Sequence, residues 1–379
     1  MNSLLASSRW LSRSLISVST ALAACACGSP PSSAPSSAIE DVSRLIARYQ
    51  PVAVFSNEAH SDDATRFLSA CWFDAISQNT PVSVFAAEAF SFRSPITPDP
   101  YDHRRLDGSY HHNAHFRDMI HVAGENRAVL AGYDFSNAPL VGRSSLRQAG
   151  YVSSRWNVRE RSGAIRLRAL WEDSAGSGSM FVHVGLGHIN RIPIQRAGGV
   201  ETGVAGHFAR LVNERVLSID NAMSELSDFR VDRFFDCPDV VDFERYSVVV
   251  EFNADRFHCL AKDDFKPHRR AFDISVVDRP VLGVNGYVLD AGSLCPHRRT
   301  AVVEAPANIG LSQGQSLRLR IMQTDGIGRR IETWKEIFAT PPADPMLIHP
   351  LATDNATVIW DLLDPDGLPQ PVSDEEIEI

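Results

Sequence analysis

The chain has 379 residues, of which 44% are apolar and 22% are charged, and its formal net charge is −9. This composition is typical of a globular protein with one large domain or two ordinary ones. The sequence lacks a basic run longer than a few residues. This argues against nucleic acid as a partner, because such a partner requires clustered Lys and Arg to displace its counterions.

The first 24 residues have the features of a secretory signal peptide. Arg9 and Arg13 precede an apolar segment, residues 15–24, which is too short to span a bilayer. The segment leads into Leu22-Ala23-Ala24-Cys25, which resembles the lipobox of bacterial lipoproteins. The resemblance implies that Cys25 is acylated after cleavage and anchors the protein to a membrane of the bacterial cell envelope. An ordinary secretory signal with an incidental cysteine is the alternative interpretation.

Residues 25–37 are predicted to be a tether, because their Pro- and Ser-rich sequence cannot build a core. Export implies an oxidising compartment, in which disulfide bonds form. Cys237, Cys259 and Cys295 can supply one disulfide, and the sequence does not choose the pair. Cys71 lies on an apolar helical face and is predicted to be a buried thiol.

From residue 38 to residue 235, short apolar strands alternate with helices. The predicted helices are residues 38–49, 63–78, 111–123, 143–162 and 202–213. The predicted strands are residues 52–56, 82–86, 128–133, 180–184 and 216–219. This alternation is typical of βαβ units. We therefore predict a three-layer α/β domain with a mainly parallel sheet that is covered by helices on both faces.

Residues 236–379 are predicted to form a smaller β-rich C-terminal domain. Strand-like apolar runs begin near Tyr246, Phe272, Thr300 and Ser316, with Gly, Pro and Asp between them. Helical periodicity returns only in the segment ETWKEIF, residues 332–338. The acidic tail SDEEIEI is predicted to be a solvated chain end.

The predicted strands of the α/β domain end in ionisable residues. In chain order these are Glu58 with His60, Glu88, Asp134, His188 and Asp220. Ligands of open α/β sheets bind outside the carboxyl ends of the strands, so these side chains are expected to meet at one rim. Gly185 and Gly187 would let the backbone approach a ligand closely. Two glutamates and two histidines can ligate a divalent metal, or act as acid and base around a water molecule.

Two simpler interpretations compete with a functional site. A carboxylate at a strand end can cap the helix that follows; we favour this for Asp220, and for Asp134 the two interpretations are balanced. A second group of histidines comprises His103, His111, His112, His115 and His121. A metal-binding helix is conceivable there, but we favour a solvated helix start, because no acidic residue stands at ligand spacing.

The strand-end residues carry a resemblance to a known superfamily. The motifs are Asn57-Glu58-Ala59-His60, then Arg66 on the next helix, Ala87-Glu88, VHVGLGH at residues 182–188, and the later LSID. They resemble the erythromycin esterase/ChaN/Tiki superfamily over roughly residues 50–220. Arg147 falls where relatives often carry an arginine. The resemblance implies a three-layer α/β domain with a polar pocket at the strand ends. Members hydrolyse esters, act as metal-dependent proteases, or bind iron or haem as lipoproteins.

The leading hypothesis is a hydrolase of ester or amide bonds. Whether a metal ion assists the hydrolysis is left open by the sequence. His60 would be the general base, Glu58 and Glu88 would orient the water, and His188 would stabilise negative charge. The predicted substrate-binding residues are Arg66, Asp134 and Arg147. The predicted metal ligands are Glu58, His60 and His188.

The partners expected are a small-molecule or peptide substrate and the membrane that holds the lipid anchor. The alternative hypothesis is a lipoprotein of the ChaN type that binds iron or haem through the same histidines, so the expected cofactor is a divalent metal or haem. A degenerate family member with a structural role in the envelope is a third interpretation.

Overall fold

The computed structural model describes residues 37–60, 62–90, 114–134, 149–174, 178–196, 199–266, 272–278, 301–306, 309–324, 330–339, 346–348 and 355–378. The predicted signal peptide, Cys25 and the tether up to residue 36 lie outside these ranges. Arg147 also lies outside them, as do His103, His111 and His112. Within the described ranges, none of the helices is both long and apolar enough to cross a membrane.

The described residues contain α-helices and β-strands in an alternating order. The helices are α1 (Ala38–Tyr49), α2 (Asp63–Asn79), α3 (Ala114–Glu125), α4 (Ala149–Asp173) and α5 (Val204–Val212). The first ten strands are β1 (Ala53–Glu58), β2 (Val82–Ala87), β3 (Val129–Gly132), β4 (Ser179–Gly185), β5 (Ile194–Arg196), β6 (Gly199–Glu201), β7 (Val216–Asp220), β8 (Tyr246–Glu251), β9 (Arg256–Ala261) and β10 (Ile274–Val277). The remaining strands are β11 (Ala301–Val303), β12 (Ser316–Thr324), β13 (Arg330–Phe338), β14 (Met346–Ile348), β15 (Asn355–Leu363) and β16 (Pro369–Glu378).

Eight strands form the central sheet in the order β3-β2-β4-β1-β7-β10-β8-β9. Its neighbouring strands are parallel except for the pair β8 and β9. Apolar side chains fill both faces: Val54 of β1 packs in the core with α1, α2 and α3, and Phe55 packs in the core with α4 and α5. The predicted three-layer α/β fold with a mainly parallel sheet is confirmed.

Local signals set the ends of the helices where prediction and structure agree. Helix α1 begins after Ser37, whose hydroxyl accepts a hydrogen bond from the backbone N–H of Glu40, while the Glu40 carboxylate accepts one from the Ser37 backbone. Such a capping box satisfies backbone donors that the helix leaves free.

Helix α4 continues to Asp173, well beyond the predicted end at residue 162, because Leu167 and Leu170 extend its buried face.

The central sheet continues past residue 235. Strands β8 and β10 pair in parallel with each other, and β10 pairs with β7. Their apolar runs are buried on both faces. Val248 belongs to the same core as Val54, and Val249 packs in a separate cluster with Phe229 and Phe265. Near-continuous apolar runs of this kind are typical of interior parallel strands. Past residue 235, the strands that lie outside the central sheet therefore begin at β11, and before it only the short β5–β6 pair forms a described sheet of its own.

The prediction of a smaller β-rich C-terminal region is confirmed, and the structure shows that its strands from β11 onward pair antiparallel outside the central sheet. Four strands pair in the order β13-β12-β15-β16, and β11 pairs with β14. The predicted helix at residues 332–338 is wrong, because this segment lies in β13 and pairs with β12. The acidic tail up to Glu378 is part of β16, which pairs with β15 along its length. In residues 332–338 strand pairing overrides the local helical preference of the sequence.

The structure chooses the disulfide that the sequence left open. Cys237 and Cys259 are bonded, with their Cα atoms 4.9 Å apart. Cys71 is buried on α2 and is disulfide-bonded too, so the prediction of a free buried thiol is wrong. Disulfides are typical of exported proteins.

Candidate functional site

The central sheet brings most of the predicted strand-end residues to one rim. Strands β3, β2, β4 and β1 are parallel neighbours, so their carboxyl ends lie side by side. The chain then crosses to β7 on the other side of β1. Such a change of direction opens a crevice at the carboxyl ends of the strands, where ligands bind in open α/β sheets.

Glu58 is the last residue of β1 and is fully buried. Its Oε1 lies 2.9 Å from Nδ1 of His60, and its Oε2 accepts a hydrogen bond from Nε of Arg66 on α2. Arg66 also donates to the backbone carbonyl of His60 over 2.6 Å. The arginine thus neutralises the buried carboxylate and holds the backbone that carries the histidine.

His60 is the most open member of the site, with 63% of its side chain exposed. Its Nε2 lies 3.2 Å from Oε1 of Glu88. The hydrogen bond to Glu58 raises the pKa of His60, burial opposes this, and the negative charge of Glu88 adds to it. The ring therefore has one nitrogen held by a carboxylate and the other facing solvent and Glu88.

Glu88 follows β2 and has a side chain that is only 9% exposed. Burial is the largest effect on this carboxyl and raises its pKa, while His188, His60 and Arg159 lower it. Its Oε2 is buried and has no hydrogen-bond partner among the described residues. Nε2 of His188 lies 3.6 Å from this oxygen and Nη2 of Arg159 lies 3.8 Å from it. Such an unsatisfied buried oxygen is costly, which is typical of a functional position.

His188 follows β4 and is held rigidly by helix α4. Its Nδ1 lies 2.7 Å from Oε2 of Glu160, which also accepts a hydrogen bond from the backbone N–H of Val204 over 2.8 Å. The ring of Trp156 stacks on the imidazole, with ring centroids 4.8 Å apart. The second histidine of the site thus has the same arrangement as the first, with a buried carboxylate on Nδ1 and Nε2 turned to Glu88.

Asp134 follows β3 and forms a bidentate ion pair with Arg159. The two N···O distances are 2.8 Å and 2.6 Å. Burial lowers the pKa of Arg159, but the hydrogen bonds that Arg159 donates to Asp134 and the charges of the nearby carboxylates outweigh this and raise it, so the guanidinium stays charged. Asp134 thus holds Arg159, a partly exposed arginine that flanks Glu88.

Gly185 at the end of β4 and Gly187 in the loop after it make room for the site. A Cβ atom on Gly185 would lie 3.1 Å from Oε1 of Glu88 and 3.2 Å from Nε2 of His60. A Cβ atom on Gly187 would lie 3.1 Å from the Trp156 ring. These contacts are tighter than ordinary packing, so the glycines permit the close approach of the side chains around them.

Among the described residues, Glu58, His60 and Glu88 form a group that could hold a metal ion, with one ligand atom from each and all of these atoms within 4.8 Å of one another. The 3.2 Å between His60 Nε2 and Glu88 Oε1 is close to the roughly 3.3 Å that separates two ligands bonded at about 2.0–2.1 Å in a tetrahedral zinc site. The group differs from the predicted ligand set, since Glu88 takes the place of His188. The residues fit a divalent cation that accepts mixed oxygen and nitrogen ligands.

Asp220 at the end of β7 has a structural environment. Its Oδ1 accepts hydrogen bonds from Asn57 Nδ2 over 2.8 Å and from the backbone N–H of Met223 over 3.0 Å. The favoured interpretation was a helix cap, and the carboxylate does accept from the backbone that follows. No α-helix begins there, however: the chain forms a turn before a short 3₁₀ segment at Leu226–Asp228. Asp220 with Asn57 fastens the end of β1 to β7.

The histidine-rich segment has one member whose side chain the structure describes. His115 on α3 is 4% exposed, and its ring contacts Phe67 with centroids 5.4 Å apart. The favoured interpretation, a solvated helix start, is therefore wrong for His115. The burial follows from the packing of α3 on α2, which the histidine spacing did not indicate.

Four side chains of the site were missed by the sequence reasoning. Trp156, Arg159 and Glu160 lie on α4 at a spacing of three and four residues, which places them on one face. This mixed aromatic and charged stripe is the signal that could have found them. The fourth is His183 on β4, whose Nε2 lies 3.6 Å from Oε2 of Glu58. It is fully buried, and neither ring nitrogen has a hydrogen-bond partner within the described residues.

Comparisons with known proteins give little further information. No protein-family model matches the sequence, and no curated protein matches it. Among solved structures, the chain is similar to RRSP, a MARTX toxin effector domain from Vibrio vulnificus CMCP6, with 12% sequence identity and a TM-score of 0.32. The match covers 48% of this chain and 36% of that chain, so this chain spans little more than a third of the length of the toxin structure.

Proposed function

We propose that this protein is a hydrolase of ester or amide bonds that a lipid on Cys25 holds in the bacterial cell envelope. One observation carries the hydrolase: two imidazoles, each with a buried carboxylate on Nδ1, turn their Nε2 atoms toward Glu88. A carboxylate on Nδ1 orients the ring and strengthens the base at Nε2, as in the catalytic triads of hydrolases. The resemblance to the erythromycin esterase/ChaN/Tiki superfamily supports the same activity.

His60 is suited to the role of general base. Its ring is exposed, so water and substrate reach Nε2, and the hydrogen bond to Glu58 raises its pKa. In the proposed first step, Nε2 accepts a proton from water as the water oxygen adds to the carbonyl carbon. The Glu58 carboxylate stabilises the imidazolium that forms.

Glu88 is suited to deliver a proton to the leaving group. Burial raises the pKa of this carboxyl, so it takes up a proton more readily than an exposed glutamate and, once protonated, can donate to the departing oxygen or nitrogen. The partly exposed guanidinium of Arg159 has the position to stabilise the oxyanion. Arg66, for which we predicted substrate binding, is 6% exposed and occupied by Glu58, so we assign it a supporting role instead.

The envelope location is supported by independent observations. The lipobox-like sequence and the tether precede the folded residues, and the fold contains disulfide-bonded cysteines, which persist in oxidising compartments. A lipid anchor and a folded domain after a polar tether are compatible with a substrate in the envelope.

The hydrolase is tested with the purified full-length chain, p-nitrophenyl butyrate as an ester and fluorescent casein as an amide. His60→Ala should lower the rate by at least about 100-fold, the size of a lost general base. His258→Gln on β9 is the matched control, because its ring contacts Glu251 rather than the site. Undiminished hydrolysis in His60→Ala would remove the proposed mechanism.

A second candidate, favoured by the Glu58, His60 and Glu88 group, is a protein that binds a divalent metal such as iron or zinc. When bound there, the ion would act as a Lewis acid on a carbonyl oxygen or would itself be the cargo. Binding of haem stays a prediction.

Elemental analysis of the purified chain, with His60→Ala and Glu88→Gln as comparisons, decides between the candidates. One bound equivalent that both variants lose supports the metal site. Metal-free protein that hydrolyses the ester in the presence of EDTA supports the metal-independent hydrolase.

A further inference from the structure

Glu160 lies outside every motif of the sequence, yet it is bonded to the second histidine of the site. Its Oε2 lies 2.7 Å from Nδ1 of His188 and accepts the backbone N–H of Val204 over 2.8 Å. The residue is 2% exposed and comes from α4, 28 positions before the histidine. A single carboxylate oxygen therefore ties α4, the first turn of α5 and the loop after β4 together.

The imidazole of His188 is constrained on its other sides as well. Trp156, one turn before Glu160 on α4, stacks on the ring with an interplanar angle of 19°. Gly187 allows this stack, because a Cβ atom there would lie 3.1 Å from the indole. The backbone carbonyl of His188 accepts a hydrogen bond from the N–H of Ala205 over 3.1 Å. The ring is thus fixed in plane and in rotation.

We infer that Glu160 is the positioning residue for His188: it keeps the ring proton on Nδ1 and so presents Nε2 as a free acceptor to Glu88 and the substrate. The inference follows from the chemistry of Oε2, which in a carboxylate can only accept. This oxygen accepts the Val204 N–H and has no proton of its own to donate. The contact with Nδ1 of His188 is therefore a hydrogen bond in which Nδ1 is the donor. A hydrogen bond from one ring nitrogen to a carboxylate fixes the tautomer and leaves the other nitrogen free to react.

This inference rests on the proposed hydrolase for its catalytic meaning, but the proton position can be measured without any activity. The full-length chain is labelled with ¹⁵N-histidine, and long-range ¹H–¹⁵N correlations of the rings are recorded at about pH 9, where neutral rings predominate. The His188 signal is assigned from its loss in His188→Gln. The expected spectrum has the proton on Nδ1 and a bare Nε2.

Two substitutions at position 160 separate positioning from simple packing. Glu160→Gln keeps an oxygen that can accept from both donors, so the Nδ1–H form should persist. Glu160→Met keeps the volume but removes the acceptor, so the proton should move to Nε2 in most molecules. An Nε2–H ring in the wild type, or an unchanged ring in Glu160→Met, would overturn the inference.

The kinetic arm uses p-nitrophenyl butyrate. Glu160→Met should lower kcat by about 10- to 100-fold, the usual cost of a lost orienting carboxylate, with KM changed less than about twofold. Glu160→Gln should retain more activity than Glu160→Met. In a His188→Gln background, Glu160→Met should cause no further loss of kcat, whereas a further loss of similar size would show a general structural role and contradict the inference.

Glu172→Met supplies the matched control, since Glu172 lies on the same helix, is half exposed and pairs only with Arg168 among the described residues. It should alter neither the His188 spectrum nor kcat. If the wild-type chain hydrolyses neither ester nor casein, the proposed function fails, and the ring spectra alone decide the role of Glu160.

Discussion

Nε2 of His60 lies 3.2 Å from Oε1 of Glu88, while Nδ1 of the same ring lies 2.9 Å from Oε1 of Glu58. One exposed imidazole thus stands between two carboxylates that β1 and β2 deliver to the same rim, although β4 separates these strands in the sheet. Gly185 at the end of β4 leaves the gap in which the two side chains meet. The chemistry of the site depends on this gap and on the protonation of the ring.

Glu58→Gln should lower the pKa of His60, because the hydrogen bond between the ring and the Glu58 carboxylate is the largest cause of its raised pKa. A general base works in its neutral form, so the acid limb of the pH–rate profile should move to lower pH in the variant. The plateau should also fall, by about tenfold or more, because the base is weaker and less well oriented. The measurement is kcat for p-nitrophenyl butyrate against pH, with EDTA present.

Removal of one partner of a buried ion pair is destabilising by about 3–5 kcal/mol, so Glu58→Gln is assayed well below its unfolding temperature. Glu172→Gln serves as a control for loss of a carboxylate. An acid limb that stays in place in the variant would separate His60 from the base of the reaction.

Gly185→Ala should impair the site with little loss of stability. The new Cβ atom would lie 3.1 Å from Glu88 Oε1 and 3.2 Å from His60 Nε2, so both side chains must shift by a few tenths of an ångström. Displacements of up to about 1 Å at reacting groups cost up to about 100-fold in rate, so we expect a fall of about tenfold in kcat. Steady-state kinetics and thermal unfolding are the measurements.

Gly310→Ala is the matched control for Gly185→Ala, because a Cβ atom on Gly310 meets nothing within 4 Å. It should leave kcat unchanged. Equal activity of the two alanine variants would mean that the contact between His60 and Glu88 is irrelevant to turnover.

His183→Leu should make the fold less sensitive to acid. Burial lowers the pKa of His183 to about 4, whereas an unfolded histidine titrates near 6.5. Between these values the unfolded chain binds more protons, so stability rises with pH and falls as acid is added. Between these two pKa values, His183 alone lowers the free energy of unfolding by about 3 kcal/mol.

The measurement for His183→Leu is the free energy of unfolding in urea at several pH values from about 7 to about 4. The free energy of unfolding of His183→Leu should rise relative to that of the wild type as the pH falls. His258→Gln, at a ring that is 25% exposed, is the comparison. Parallel curves for wild type and His183→Leu would contradict the burial of a neutral histidine beneath Glu58.

Cys25→Ser should release the protein from the membrane fraction or leave its precursor uncleaved. Two or three acyl chains anchor a protein stably, because each buried CH₂ contributes about 0.8 kcal/mol. Fractionation and incorporation of labelled palmitate are the measurements, with Cys27→Ser as the control. Labelling that survives in Cys25→Ser but disappears in Cys27→Ser would assign the lipid to the other cysteine. Unchanged labelling in both variants would end the lipoprotein proposal.

Much of the α/β layer order could be predicted from the sequence, since its signals are local. Helix α1 has the predicted bounds, 38–49, because Ser37 and Glu40 form the capping box at its start. The strand β1 was predicted within two residues at each end, because the apolar run from Val52 to Phe55 lies between two helical segments. Parallel strands then place Glu58 and its counterparts at one rim by topology alone.

Other features depended on contacts that no local signal records. The segment of β13 has helical periodicity, and its pairing with β12 decides its state. The runs of β8 and β10 were predicted to belong to the β-rich C-terminal region, and their parallel pairing beside β7 decides that they extend the central sheet. The choice of Cys259 as the partner of Cys237 is likewise made by the folding of β9 against residue 235.

The sequence by itself determined which residues stand at the strand ends, because a strand's carboxyl end is a position along the chain. Only the tertiary structure decided what those residues contact. Glu160 reaches His188 because α4 packs across the sheet with Trp156, Arg159 and Glu160 toward the rim, and that orientation is set by the burial of Leu167 and Leu170 on the same helix. The partners of each ionisable group come from elements far apart in the chain, and burial brings them together.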